Sequence, residues 1–470
     1  MSEKFRTERD SLGEVRVPRA ALYGAQTQRA VENFPVSGQR FGRRMIQALG
    51  LIKEASARTN GELGNLEPRI AGVIEAAAAE VRDGIWDGEF VIDVYQTGSG
   101  TSTNMNANEV VARLATRRLE DPGATVHPND QVNFGQSSND VIPTAIHIAG
   151  RLTLEEELIP ALELLETELA EKAVAFDGLV KSGRTHLMDA VPVRLGQEFG
   201  GYATQVRNGI LRVRAASEEL AELALGGTAT GTGINTHPDF AQGTIGRISE
   251  ATGLAFREAE DHFEAQGARD GLVSAHGALN TVAVSLLKIA DDLRWLASGP
   301  TSGIAEIRLP AIQPGSSIMP GKVNPVLSEV LMMVSARVAG NHTTLTIAGG
   351  RGNFELNVMM PVMAQAFIES ATLLANGARI FAERCVRGIE ADADRARELL
   401  ERNPAIATAL NLFVGYDRAG EVAKRAARER RSVRDIVREM GLLSEGEIDR
   451  ALDVRDMTEP GTGRREEEGK

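Results

Sequence analysis

Cysteine is nearly absent: Cys385 is the only one in 470 residues. That excludes an internal disulfide and a CxxC metal site. It also fits a reducing compartment, so a cytoplasmic protein is expected. Aromatic residues are scarce as well, 4% against 42% hydrophobic residues in all. A core short of rings falls to alanine and leucine, which are abundant, and that favours long helices packed through small and aliphatic side chains. No apolar run approaches the length that spans a bilayer. The first ten residues, Met1 to Asp10, lack an apolar core and carry Glu3, Glu8 and Asp10, so neither a secretory signal nor a transit peptide is expected. Positive charge is in deficit. A net charge of −13 argues against nucleic acid and anionic membrane as partners. An anionic substrate then needs cations placed locally. What the chain does have is length, enough for several domains and a large core.

Three regions separate along the chain. Residues 1–138 combine irregular segments with helices such as Gly42 to Asn60. Residues 139–393 carry the long helical runs, and the clearest spans Phe263 to Ser298. There Leu272, Leu279, Leu286 and Leu293 recur at heptad spacing, with Val282, Ile289 and Leu296 as a second seam. A helix of that length spans about 50 Å at about 1.5 Å per residue. Trp295, near its end, is expected to fill core. Thr144 to Ala175 and Gln197 to Leu225 also read as long amphipathic helices. Rods of this kind pack into bundles, often shared between subunits. Residues 394–470 are charged and short in helices, and Glu459 to Lys470 reads as a disordered tail. No repeat of fixed period is found.

One loop is more informative than the rest: Gly315-Ser316-Ser317-Ile318-Met319-Pro320-Gly321-Lys322-Val323-Asn324-Pro325. It gathers two hydroxyls, a cation and a carboxamide. Its glycines permit unusual backbone angles and its prolines exclude a helix interior. A polar surface turn would waste the Ile318-Met319 pair. A phosphate loop needs four residues between Gly and Gly-Lys, then Ser or Thr. Here five residues intervene and Val323 follows Lys322. What remains is a mobile loop with a serine beside a lysine, suited to a small anion undergoing proton transfer.

Four more polar clusters compete for attention. Gln96 to Asn106 is either a flexible loop capping a helix that starts near Asn108 or a binding loop. Gly135 to Asp140, ahead of a helix beginning near Pro143, poses the same choice. Both present hydroxyls and backbone N–H groups at a helix start, where carboxylates bind well. Gly183 to Asp189 holds His186, and a lone histidine is more often packed than catalytic. Gly226 to Gly233 lacks a complete GxGxxG, so a tight backbone approach is the better reading.

Together these loops resemble one family. Gly315 to Pro325, with Glu329 following, looks like the signature of the fumarase/aspartase superfamily of lyases. The resemblance runs from about Glu8 to Leu452. Within the superfamily the class II fumarase branch is nearest. Gly24-Ala25-Gln26-Thr27-Gln28-Arg29, Phe354 to Val358 and Gly415-Tyr416-Asp417 take the fumarase form. Arg184-Thr185-His186 is shared with some aspartases and discriminates poorly.

The resemblance implies an all-α, three-domain fold with a central five-helix bundle. Four copies then form a homotetramer with a twenty-helix core, and each active site gathers loops from three subunits. It implies reversible anti addition of water to fumarate, giving (S)-malate, a step of the tricarboxylic acid cycle. The substrate is a small dicarboxylate, with no cofactor and no metal. By the same resemblance Ser316 is the base that takes the Cβ proton. Lys322 and Asn324, helped by Thr101, Asn139 and Thr185, stabilise the enediolate-like intermediate. His186 paired with Glu329 handles the departing hydroxyl. Ser99, Ser137, Ser138 and Ser317 bind substrate oxygens, and Gly100 and Val323 belong to the same substrate-binding set. A serine base must be activated by its surroundings, here by loop N–H groups and Lys322. Val126-His127-Pro128-Asn129-Asp130 matches an accessory anion site. Some relatives carry an arginine where this chain has Ala124, so weaker binding is expected there. Met188 also replaces a residue that is commonly polar.

Two other readings stay open. An aspartase needs the same base but a site tolerant of an ammonium leaving group. A non-catalytic structural relative of the lens-protein kind keeps the fold without the full set Ser316, Lys322, Asn324, His186 and Glu329. An assay with fumarate and with L-aspartate separates all three.

Overall fold

Small side chains let helices lie close together, and helix takes up 62% of the chain. The computed structural model describes residues 4–121 and 123–461. Residues 1–3, Pro122 and 462–470 lie outside them, and with them the first residues of the expected leader-free segment and most of the expected disordered tail. Among the described residues, strands form only two-stranded sheets. The expected all-α fold is thus met as a mostly helical one, with short hairpins and bridging strands between the helices.

The chain opens with an antiparallel hairpin, β1 (Phe5–Asp10) and β2 (Gly13–Pro18), then α1 (Ala25–Asn33), α2 (Arg43–Glu62), α3 (Pro68–Arg82) and α4 (Thr101–Arg118). Next come α5 (Ser138–Thr153) and α6 (Ile159–Ala175), joined by a π-turn at Leu154–Leu158. The hairpin β3 (Val180–Thr185) and β4 (Met188–Arg194) leads to α7 (Leu195–Glu219), α8 (Phe240–Thr252), α9 (His262–Gly267) and α10 (Asp270–Leu296). After the loop come α11 (Val326–Gly349) and α12 (Met360–Arg384). The C-terminal region holds α13 (Ala393–Glu401), α14 (Asn411–Val414), α15 (Tyr416–Glu429), α16 (Val433–Glu439) and α17 (Glu445–Ala451).

The chain forms two compact units, one of residues 1–160, 209–284 and 334–376, the other of residues 161–208, 285–333 and 377–470. In the first unit α2 packs on α3, α5 and α8, and α3 on α4. Its core is aliphatic and small, with Leu49, Ile52, Ile74, Val110, Ile142 and Ile146 all buried. In the second unit, Phe176 meets Phe199 edge-on at 5.2 Å. A further cluster there gathers Leu410, Val422, Ile436, Val437 and Ile448 from the C-terminal helices.

Several expectations need correction. The run from Phe263 to Ser298 is two helices. At Ala268 the backbone is extended, at φ −98° and ψ 163°. Gly267 packs so close to another segment that a Cβ would lie 2.6 Å from the Phe354 carbonyl oxygen. The α4 helix starts at Thr101, not near Asn108, and it buries polar Thr103 and Asn104, which donate to the side chains of Gln96 and Asn133. The α5 helix starts at Ser138, five residues before Pro143. Trp295 is 44% exposed and does not fill core. The C-terminal region is helical through most of its length. Glu459, assigned to the tail, pairs with Arg194 at 3.0 Å. The heptad seam is buried inside the chain, from Leu272 through Leu293. The α10 helix is apolar and long enough to cross a bilayer by length and composition, contrary to the sequence reading, but half of its apolar window is packed in the core.

Candidate active site

In the first unit, the residues expected to bind substrate converge on two helix starts. The segment before α4 is pressed against backbone: a Cβ on Gly98 would lie 1.7 Å from the Val358 carbonyl oxygen. Ser99, buried at the end of that segment, shares a 2.7 Å hydrogen bond with Thr101. Thr101, in the first turn of α4, shares another of 2.7 Å with Ser138, in the first turn of α5. Ser137 caps α5, its hydroxyl accepting from the Asn139 N–H at 3.2 Å. Three hydroxyls thus connect two helix N-termini, each bringing unpaired N–H groups and the positive end of a dipole. That is a seat for a carboxylate. Gly100 lies between Ser99 and Thr101, and Asn139 points elsewhere in part, donating to the Ala229 carbonyl at 2.8 Å.

The α5 start is held from behind by residues the sequence reading passed over. Asp140 is fully buried. It accepts N–H bonds from Ser137 at 2.9 Å, Gly226 at 3.1 Å and Thr228 at 2.9 Å. The glycine-rich stretch from Gly226 is therefore the tight backbone approach expected, wrapped on this carboxylate. Burial pushes the Asp140 carboxyl up to about 6, against the pull of those N–H groups and of Lys53. Lys53 is itself fully buried, which pushes its ammonium down to about 7. It donates to Asn133 at 3.0 Å and Gln136 at 2.8 Å. A lysine directly after the apolar run Leu49 to Ile52 was the available signal.

In the second unit, the loop from Gly315 to Pro325 is closed at its neck. The Gly315 N–H donates to the Lys322 carbonyl at 2.8 Å, and Asn324 Nδ2 donates to the Gly315 carbonyl at 2.6 Å. Only glycine fits there, because a Cβ would lie 2.3 Å from the Lys322 oxygen. Inside the loop, Ser316 Oγ accepts N–H bonds from Ile318 at 3.2 Å and Met319 at 3.0 Å. Two donors on one oxygen favour its alkoxide. Ser317, Lys322 and Val323 are exposed, and the Lys322 ammonium has no partner among the described residues. Ile318 is 84% exposed, so the apolar pair that argued against a surface turn is uncovered in one chain.

His186 sits at the tip of the β3–β4 hairpin, after Thr185. His186 and Leu187 form its two-residue turn with φ of 57° and 60°. Glycine and asparagine normally supply such angles. Two residues with bulky side chains held there cost of order 1–3 kcal/mol each, strain that tends to mark functional sites. The His186 ring is exposed and has no partner among the described residues. Glu329, in the first turn of α11, is also exposed. No hydrogen bond or ion pair joins the two within the chain, so the expected His186–Glu329 pair is not formed there.

The accessory segment is a single π-turn. His127 Nδ1 accepts from the Asp130 N–H at 3.0 Å. The Asp130 carboxylate lies 3.2 Å from the same ring nitrogen, and Pro128 and Asn129 complete the turn. The motif Gly24 to Arg29 proves structural. It starts α1, and buried Glu109 accepts the N–H groups of Gly24, Gln26 and Thr27 at 2.8–3.1 Å.

A family described as Lyase matches residues 13–340, and one described as Fumarase C C-terminus matches residues 406–459. A fumarate hydratase class II from Mycobacterium tuberculosis is 55% identical over 458 residues, covering 96% of each chain. One from Halobacterium salinarum is 55% identical over 463 residues, covering 98% of each. The chain belongs to the class II fumarate hydratase family. Among solved structures, the class II fumarase of Schistosoma mansoni superposes with a TM-score of 0.94 at 36% identity, covering 97% of this chain and 99% of that one. A fumarate lyase:delta crystallin from Brucella melitensis superposes at 0.93 with 42% identity, covering 97% and 100%. Class II membership sets aside the aspartase and lens-protein readings and accounts for both halves of the chain, since the C-terminal helices carry a match of their own.

Proposed function

We infer that the chain hydrates fumarate to malate as a hydro-lyase of the tricarboxylic acid cycle. In the malate-forming direction water adds across the double bond, and in the reverse direction malate loses it. The Ser316 alkoxide takes a proton from C3 of (S)-malate. The electron pair left behind delocalises into the adjacent carboxylate as an enediolate-like dianion. The double bond then forms as the C2–O bond breaks, and the hydroxyl leaves as water with a proton from His186. Addition and elimination are anti because base and acid stand on opposite faces. These are proton transfers alone, so no cofactor is required.

The observation that carries this reading is the setting of Ser316: two N–H donors on its oxygen and an unpaired Lys322 in the same loop. The lysine and Asn324 offset the charge that develops on the substrate. The Ser99–Thr101–Ser138 hydroxyls, with Ser137 and Asn139 beside them, suit a substrate carboxylate, and Ser317, Val323, Gly100 and Thr185 line the same substrate. His186 as acid, with Glu329 of another copy as its partner, explains why neither group has a partner within one chain.

A homotetramer with sites shared among three copies follows. The long helices expose Val284, Leu287 and Trp295 on α10 and Met333 and Ile347 on α11, an apolar surface beyond the seam already buried in the chain. The three segments 1–138, 139–393 and 394–470 are read as the domains. A soluble cytoplasmic enzyme is the matching location. At His127 to Asp130 we propose only a weak accessory anion site, since the Asp130 carboxylate and Ala124 both disfavour an anion.

The test incubates purified protein with fumarate, with and without ammonium, follows loss of the conjugated absorbance and identifies the product by chiral chromatography. (S)-malate is expected in both. A protonated His186 suits a departing hydroxyl and repels an ammonium in a water-poor pocket. Aspartate as main product, or no turnover of fumarate, overturns the reading.

A further inference from the structure

The second unit holds a charge cluster that the mechanism does not use. Glu306 is fully buried, and its two carboxylate oxygens accept from the two ends of the Arg184 guanidinium, at 2.9 Å each. Lys181, also fully buried, places its ammonium 3.1 Å from Glu306 and 2.9 Å from Glu198. Two cations and two carboxylates balance. Burial pushes the Glu198 carboxyl up while Lys181 pulls it down, and its second oxygen has no partner.

Such a cluster is a poor device for stability. Lys181 and Glu306 are wholly out of water and Arg184 and Glu198 partly so, a costly arrangement for which apolar replacements are often neutral or better. What a bidentate arginine–carboxylate pair does give is direction. Its location makes direction matter. Arg184 and Lys181 are on β3, the strand that ends in Thr185 and the strained His186–Leu187 turn. The His186 ring has no partner among the described residues, so within one copy its aim depends on the backbone. Asn403 holds the hairpin at its far end, donating to Ser182 Oγ at 3.0 Å and to the Ala190 carbonyl at 2.8 Å. Near the tip, the fixed point is Glu306. Its backbone is pinned on both sides: its N–H donates to the Leu296 carbonyl at 3.0 Å and its carbonyl accepts from the Asp392 N–H at 2.8 Å.

We propose that Arg184 and Glu306 are positioning residues for the reaction: the buried Lys181–Arg184–Glu198–Glu306 cluster fixes the His186 turn so that its imidazole meets the leaving hydroxyl. The proposal rests on His186 being the acid. It goes beyond that reading by naming what aims it. The Ser99, Thr101, Ser137 and Ser138 hydroxyls belong to other segments and only Thr185 shares this strand, so disturbing the cluster acts mainly on turnover and much less on substrate binding.

The test is a double-mutant cycle in the full-length protein. Arg184→Lys keeps the charge and removes the fork. A misplacement near 1 Å costs on the order of 10²-fold in rate, so kcat falls by about that factor while KM stays within about twofold. In a His186→Asn background the same substitution has almost no further effect, because the group it aims is gone. Glu306→Gln, nearly isosteric, runs the same cycle should Arg184→Lys fail to fold. Unchanged kcat in the single variants overturns the proposal, and so does an equal loss in both backgrounds, which marks a structural role only. If His186→Asn alone keeps wild-type kcat, the acid assignment falls first and the proposal with it.

Discussion

The Thr101 and Ser138 hydroxyls lie 2.7 Å apart, joining the first turns of two helices that are 37 residues apart in the chain. Each hydroxyl stands at the positive end of its helix, where a carboxylate gains from dipole and N–H groups together. Thr101→Val removes the middle hydroxyl of the three and keeps the shape. KM for fumarate should rise roughly tenfold, the equivalent of about 1.4 kcal/mol, with a smaller change in kcat. Steady-state kinetics on the purified variant decide it. An unchanged KM would place the substrate carboxylate elsewhere.

Ser316→Ala deletes the oxygen that the Ile318 and Met319 N–H groups surround. The loop neck at Gly315, Lys322 and Asn324 does not depend on that oxygen, so folding should be kept. The rate should fall by roughly 10²–10⁴-fold, the usual worth of a positioned acid or base. Lys322→Met should cost at least as much. Circular dichroism and kcat together check both variants, and near-normal turnover in Ser316→Ala would put the base elsewhere.

A pH dependence of stability follows from His276. It stacks on His342 with centroids 5.3 Å apart and bonds to Ser370 at 2.9 Å. Burial, reinforced by His342, pushes its pKa from 6.5 down to about 3. The unfolded chain therefore binds a proton below pH 6.5 that the native chain refuses until about pH 3. Above pH 6.5 the group contributes nothing to the pH slope. Between those limits it costs the native state about 1.4 kcal/mol per pH unit. Denaturant unfolding of His276→Gln from pH 6 to pH 4 should show a slope shallower by one proton. Parallel curves for variant and wild type would contradict this.

The candidate site stood out in the sequence because its residues sit in unusual company. Ser316 and Lys322 stand in a loop with two prolines and two glycines, and no structural role explains that mixture. Position within a fold was harder to read. Thr101 to Asn106 looked like a loop because it is polar, yet it is helix, and from Thr103 to Asn106 its side chains are buried. The break at Ala268 left no mark in the heptads, since its cause is the backbone near Phe354. Glu306 was silent for the same reason: a carboxylate ten residues before Ser316 has no meaning until Arg184 arrives from the hairpin. The Gly24 to Arg29 motif pointed to the right family for reasons of folding, through Glu109, and not of chemistry.

As proposed, Ser316 as base and His186 as acid serve one site from different copies of the chain. Mixing inactive Ser316→Ala and inactive His186→Asn proteins, then dissociating and reassembling them, tests it most directly. In a 1:1 mixture a site drawing the two groups from different copies has both intact about a quarter of the time, so activity should recover to about a quarter of wild type. No recovery, in tetramers shown by mass spectrometry to be mixed, would contradict the shared site.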